Sequence, residues 1–175
     1  MDKHVVKMIL EYCQLLSTAH RVLDGVERLR LSESGRRIKR YVLPDNREKI
    51  LYSATHIKHP SAIWCRDSER NYNVLHELLT HLCDEYTYRY GKVHKCEQIG
   101  LVDKLSHPPK HIDCKKKFTP PTPAMPEEIV IPGDVVASYR NYYNVKKQHI
   151  ASWAGKVNAR KMPAWFIKSK NIDNK

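Results

Sequence analysis

The chain has 175 residues, in which 31 lysines and arginines outnumber 19 aspartates and glutamates to give a net charge of +12. That length fits a single domain with a genuine core, and that charge points to a polyanionic partner, nucleic acid ahead of an anionic membrane surface. No stretch approaches the roughly 20 apolar residues that span a bilayer, and no secretion signal precedes the first helix. A cytoplasmic protein is therefore expected (host-cell cytoplasm if viral). Its five scattered cysteines, Cys13, Cys65, Cys83, Cys96 and Cys114, are expected as reduced thiols.

Residues 2–23 carry the clearest helical signal. Asp2 suits the N-cap and Gly25 the stop. Val5, Val6, Ile9, Cys13, Leu16 and Ala19 recur at helical spacing and predict the buried face. The opposite side lines up His4, Lys7, Glu11, Gln14, Thr18 and Arg21. By spacing alone this is a solvated face, with a Lys7–Glu11 pair worth about 0.2–0.5 kcal/mol.

Residues 27–40 hold the densest positive charge: Arg28, Arg30, Arg36, Arg37, Lys39 and Arg40 around Ser32, Ser34 and Gly35. They predict a flexible loop or a short hairpin. Its cations are either a contact for a phosphate backbone or a solvated basic surface. Residues 41–55 suggest one or two short extended pieces. The longest helical pattern, 61–90, follows Pro60 and places Ile63, Trp64, Leu75, Leu78, Leu79, Leu82 and Tyr86 inward. It exceeds an ordinary helix, so a break is expected near Asp67-Ser68, with Gly91 as the end.

A short helix is expected over 96–105. Residues 106–132 then hold seven of the ten prolines and read as a long loop that wraps, lids or carries function. Asp134 caps a last helix running to about Trp153, with Val135, Val136, Tyr139, Tyr142, Tyr143 and Val145 on one side. No strand-like alternation stands out. The expected architecture is mainly α: one compact helical domain over 1–166 with long irregular loops, then a flexible basic tail over 167–175.

Two constellations suggest chemistry. His94, Cys96, His107, His111 and Cys114 are zinc-ligand types, but their spacing matches no compact knuckle, and neither a metal nor a cofactor is expected. Tyr86, Tyr88, Arg89, Tyr90 and Lys92, and again Tyr139, Arg140, Tyr142 and Tyr143, interleave aromatics with cations. Such runs stack bases and hold phosphates, or pack a core with their hydroxyls at its edge.

Asp2-x-His4, with Glu11 seven residues after the histidine, resembles the first helix of the pyrimidine-dimer DNA glycosylases of the bacteriophage endonuclease V type. The likeness extends to His59, the helical run 61–90, the string from Leu82 to Lys92 and the closing Pro163-x-Trp165. It implies a compact helical fold and a glycosylase with abasic-site lyase activity on damaged or modified pyrimidines in duplex DNA. The family's enzymes flip a nucleotide, attack the sugar with an N-terminal α-amine and rely on a glutamate whose match here is Glu11.

The pattern is broken twice. The family's nucleophile lies on residues preceding the Asp-x-His element, whereas Met1 here stands about 15 Å of helix from Glu11. The arginine that follows the glutamate by three residues is Gln14. In an active enzyme Lys7 or an N-terminal amine is the expected nucleophile, Glu11 the acid/base and His4 an orienting group. Gln14, Arg21, Arg36, Arg37, Arg40, His59, Arg89, Lys92 and Arg140 are the expected DNA contacts. The alternative is a non-catalytic nucleic-acid-binding or host-interacting phage protein on the same scaffold.

Overall fold

The structure, a computed structural model, describes residues 2–168, with side chains from His4 onward. The expected cap by the Asp2 side chain, and residues 169–175 of the tail, lie outside what is described. Among the described residues there are seven α-helices, which make the structure 49% helical, and one two-stranded sheet, so the architecture is mainly α. In order these are α1 (Asp2–Asp24), β1 (Val26–Leu31), β2 (Arg37–Val42), α2 (Arg47–Ile50), α3 (Pro60–Asp67), α4 (Glu69–Tyr90), α5 (Lys95–Gln98), α6 (Leu101–Lys104) and α7 (Val135–Lys146). Helix α1 packs against α3 and α4, and short α5 and α6 close the same core.

The stripe Val5, Ile9, Cys13, Leu16, Ala19 is buried as its spacing predicts. Val6 is 39% exposed, because it lies about 100° of helical rotation from Val5. Gly25 stops the helix: its N–H bonds the Arg21 carbonyl at 3.0 Å. A Cβ there would stand 2.4 Å from that same oxygen, so only glycine makes the turn.

The break at Ser68 is a designed one. His59 caps α3, with Pro60 in its first turn, by accepting from the Ser61 N–H at 3.2 Å. Ser68, in extended conformation, caps α4 by accepting from the Asn71 N–H at 3.1 Å. Gly91 ends α4 at φ 63°, the left-handed conformation that favours glycine. Ile63 and Leu78, expected inside, are instead exposed at 47% and 46%.

The basic run 27–40 is a hairpin, paired from Val26 with Val42 to Leu31 with Arg37. Every β1 side chain is exposed, which is why no alternation marks it in the sequence. Residues 41–55 hold the end of β2 and the short α2 rather than further strands. The expected helix 96–105 is two single turns, α5 and α6, separated by Gly100 at φ 71°.

Residues 106–132 contain one 3₁₀ turn, Glu127–Ile129, and are strapped across the helices. Asn71 is the buckle. Its Nδ2 donates to the Trp64 carbonyl and to Thr119 Oγ1, both at 3.0 Å, while its Oδ1 accepts from the Thr119 N–H at 3.0 Å. Trp64 Nε1 donates to the Thr119 carbonyl at 2.6 Å, and Phe118 stands edge-on to the indole. Asp134 caps α7 as expected, accepting from the Ala137 N–H at 2.8 Å. Helix α7 ends at Lys146, short of Trp153, and Val136 and Val145 face outward. Ile167, expected to begin the flexible tail, donates its N–H to Asn144 Oδ1 at 3.0 Å.

Candidate functional site

The polar stripe of α1 is one line of residues with two fates. Toward its N-terminal end it faces solvent. Lys7 Nζ lies 3.2 Å from Glu11 Oε1, with the side chains 70% and 40% exposed, as the one-turn spacing predicts. Toward its C-terminal end the stripe is buried: Thr18 and Arg21 are core residues. Gln14 marks the transition, half-buried between them.

Beside the Lys7–Glu11 pair stands the α1–α7 junction. His4 Nδ1 is 2.5 Å from the Tyr143 hydroxyl, and the rings meet edge to face. Burial, then the charges of Lys147 and Lys7, hold the imidazole below its ordinary pKa. Burial pushes the Tyr143 phenol up to about 12, so it serves as a neutral hydrogen-bond partner. Tyr143 packs edge-on to Trp165, whose ring also lies under the Arg140 guanidinium at 5.8 Å. His4, Lys7 and Glu11 thus line the N-terminal half of α1, with Arg140 on the far side of Tyr143 and Trp165. What they present is an amine, a carboxylate and a neutral imidazole fixed by a phenol.

Arg21 corrects an expectation. It was assigned to a DNA surface, yet it is 4% exposed and turned inward. Its Nε donates to the Tyr52 carbonyl at 2.5 Å, and Nη1 to Tyr41 O at 3.0 Å and Glu48 Oε2 at 2.6 Å. Nη2 donates to Glu48 O at 3.1 Å and Leu51 O at 2.7 Å. Those five bonds occupy the whole guanidinium fork. The residue pins the connection between the hairpin and α3 onto α1.

Arg89 corrects another. It is 5% exposed and donates from Nε to Glu85 Oε1 at 2.5 Å. The same carboxylate receives Arg160 Nη2 at 2.9 Å, and Arg160 stacks 3.8 Å over the Tyr88 ring. Tyr86 packs on Tyr90 and edge-on to His94. The interleaved run at the end of α4 is therefore mostly internal packing, with Lys92 left exposed. His59 is exposed but occupied in capping α3.

Arg36, Arg37 and Arg40 lie exposed on the hairpin with Arg28 and Arg30. Cross-strand pairing sets Arg28 against Arg40 and Leu31 against Arg37. Lys39 is neutralised by Glu27 at 2.7 Å. The run is thus a paired, two-stranded cationic arm.

A second polar cluster was missed in the sequence. The Asp24 side chain, 2% exposed, accepts from Arg47 Nη1 at 2.5 Å and from the backbone N–H groups of Lys110 and His111 at 3.0 and 3.1 Å. Burial opposes ionisation of Asp24, but these donors hold its carboxyl below the usual range. Arg47 also reaches His20 Nδ1 at 2.9 Å, and His20 Nε2 meets the Tyr72 hydroxyl. No motif announces this network, since its members come from four separate segments.

The zinc-type residues do not assemble. His111 pairs with Asp24, His107 Nδ1 lies 3.1 Å from Ser106 Oγ, and Cys114 is exposed. Only His94 and Cys96 touch, at the start of α5. Among the described residues no group of three or more such side chains is placed to hold a metal ion. No helix there is long and apolar enough to cross a membrane.

No family model, curated protein or solved structure matches the chain.

Proposed function

We propose that this chain binds duplex DNA and acts as a glycosylase with abasic-site lyase activity on damaged or modified pyrimidines, in the manner of the pyrimidine-dimer glycosylases. The observation that carries the reading is the exposed Lys7–Glu11 pair, 3.2 Å apart beside the fixed His4. An amine adjacent to a carboxylate is what imine-forming lyase chemistry requires. Once the ion pair opens, Lys7 Nζ attacks C1′ of the ring-opened sugar, and loss of water gives the imine. Glu11 then takes the C2′ proton, and elimination breaks the 3′ carbon–oxygen bond. His4 is a positioning residue in this scheme.

The cationic arm supplies the sequence-independent part of binding. Eighteen residue steps along α1 lead from Lys7 to Gly25 at the root of the arm, about 27 Å or eight base-pair steps. A single duplex is long enough to engage both.

The test is strand scission of a duplex carrying one abasic site. Wild type is expected to cut it, and Glu11→Gln to bind it with little change while cutting far more slowly. Equal cutting by the two proteins would remove Glu11 from the chemistry.

A further inference from the structure

The register of the hairpin sorts its side chains onto two faces. Residues directly opposite each other in an antiparallel pair share a face, and so do residues two apart along a strand. Val26 pairs with Val42, Arg28 with Arg40 and Arg30 with Ile38, so Arg28, Arg30 and Arg40 stand together on one face. Glu27 pairs with Tyr41, Leu29 with Lys39 and Leu31 with Arg37, and these form the other.

The two faces differ in chemistry. The one acid of the two strands, Glu27, lies on the second face and holds Lys39 at 2.7 Å. The first face carries three exposed arginines and no acid. Arg30 feels the charge of Glu48, but that carboxylate is already taken by Arg21 Nη1 at 2.6 Å and the Leu43 N–H at 2.8 Å. Arg28 and Arg40 stand directly opposite, with Cβ atoms about 5 Å apart, and like charges so placed destabilise a ribbon. An anionic partner offsets that repulsion.

Resting on the duplex binding proposed above, we infer that the arm lies in the major groove of DNA as a two-stranded ribbon, with Arg28, Arg30 and Arg40 reading guanine. The shape fits one groove. Strands about 5 Å apart, with their side chains, enter a major groove about 12 Å wide but not a minor groove of about 6 Å. Charge sets the orientation. With the second face inward, Glu27 would be repelled by the acceptors of the groove, and Leu29 and Leu31, 68% and 69% exposed, offer no donor. With the first face inward, guanidinium forks aim at the groove floor, where guanine presents O6 and N7 side by side. Arg36, between the strands, and Arg37, on the second face, are left for flanking phosphates. Base reading by one face is thus added to the arm's phosphate contacts.

The experiment measures affinity by fluorescence anisotropy on a G·C-rich duplex with one reduced abasic site, which has no aldehyde and is not cut. Guanines within a helical turn of that site are replaced singly by 7-deazaguanine, which removes N7 from the major groove. Wild type is expected to lose affinity about 10-fold at one or more of them. At such a guanine, at least one of Arg28→Ala, Arg30→Ala and Arg40→Ala is expected to lose the discrimination, and Leu29→Ala to keep it. Wild type that binds the duplex but responds to no 7-deazaguanine overturns the inference and leaves duplex binding standing. So does discrimination kept by all three arginine variants, or a response only to hypoxanthine, which lacks guanine's minor-groove amino group. Failure of wild type to bind any duplex overturns the proposed function along with it. The base replacements use unaltered protein, so they decide the matter even if a variant fails to fold.

Discussion

His20 Nε2 on α1 and the Tyr72 hydroxyl on α4 lie 2.9 Å apart in the core, and the Tyr72 hydroxyl donates to the Leu105 carbonyl at 2.8 Å. Burial, then the neighbouring Arg47 guanidinium, lower the His20 pKa to about 4, so the folded protein holds a neutral imidazole. An unfolded chain has an ordinary imidazole near 6.5, and it binds more protons than the folded one between those two values. Stability is therefore full above about pH 6.5 and falls as pH drops toward 4, by up to about 3 kcal/mol from this residue. Urea midpoints measured across that window check it. His20→Gln is expected to flatten the slope, and an unchanged slope in the variant would place the titration elsewhere.

Arg21 was expected to touch DNA and instead fills a buried socket of four carbonyl oxygens and the Glu48 carboxylate. Removing one member of such a group leaves unpaired carbonyls and a carboxylate behind, at about 3–5 kcal/mol. Arg21→Ala is expected to lower unfolding free energy by that amount. Arg21→Lys recovers little, because one ammonium does not fill a five-pronged site. Chemical denaturation gives the numbers, and a near-neutral Arg21→Ala would show that the socket contributes nothing.

The proline-rich strap is fixed through the Asn71–Thr119 exchange rather than left loose. Asn71→Ala strands the Thr119 N–H and the Trp64 carbonyl, at about 1–3 kcal/mol. Limited proteolysis should cut within residues 106–132 much faster in the variant than in wild type. Equal cutting rates would mean that the strap is held by its other contacts.

These cases show how far the sequence is legible. The first helix, the Ser68 break, the Gly91 stop and the Asp134 cap each follow from local rules, because capping and φ preferences act within one turn. The hairpin is legible only as one of two options, a loop or a hairpin, since β1 is wholly exposed and burial is what imposes alternation. Arg21 misled for a complementary reason. A cation on a helix face reads as exposed unless a carboxylate and a set of carbonyls wait for it, and these come from residues 41–52, with no regular spacing to Arg21. The Lys7–Glu11 pair was legible from its i, i+4 spacing. The contact of His4 with Tyr143 spans 139 positions and was not.

The hairpin arm gives an electrostatic prediction. Each phosphate neutralised contributes about −0.9 to the slope of log affinity against log salt. Replacing Arg36, Arg37 and Arg40 with alanine is expected to weaken duplex binding and make the slope shallower by up to about 2.7. Filter binding or fluorescence anisotropy at several salt concentrations measures both. Unchanged affinity and slope would take the arm out of the interface.

The most direct test of the proposed chemistry is borohydride trapping on duplex DNA containing one abasic site. If Lys7 is the amine that forms the imine, reduction locks wild-type protein to the DNA strand as a covalent adduct seen on a denaturing gel. Lys7→Ala is expected to bind the same duplex and give no adduct. An adduct undiminished in Lys7→Ala, or none from wild-type protein that is bound to the DNA, would contradict the assignment of Lys7.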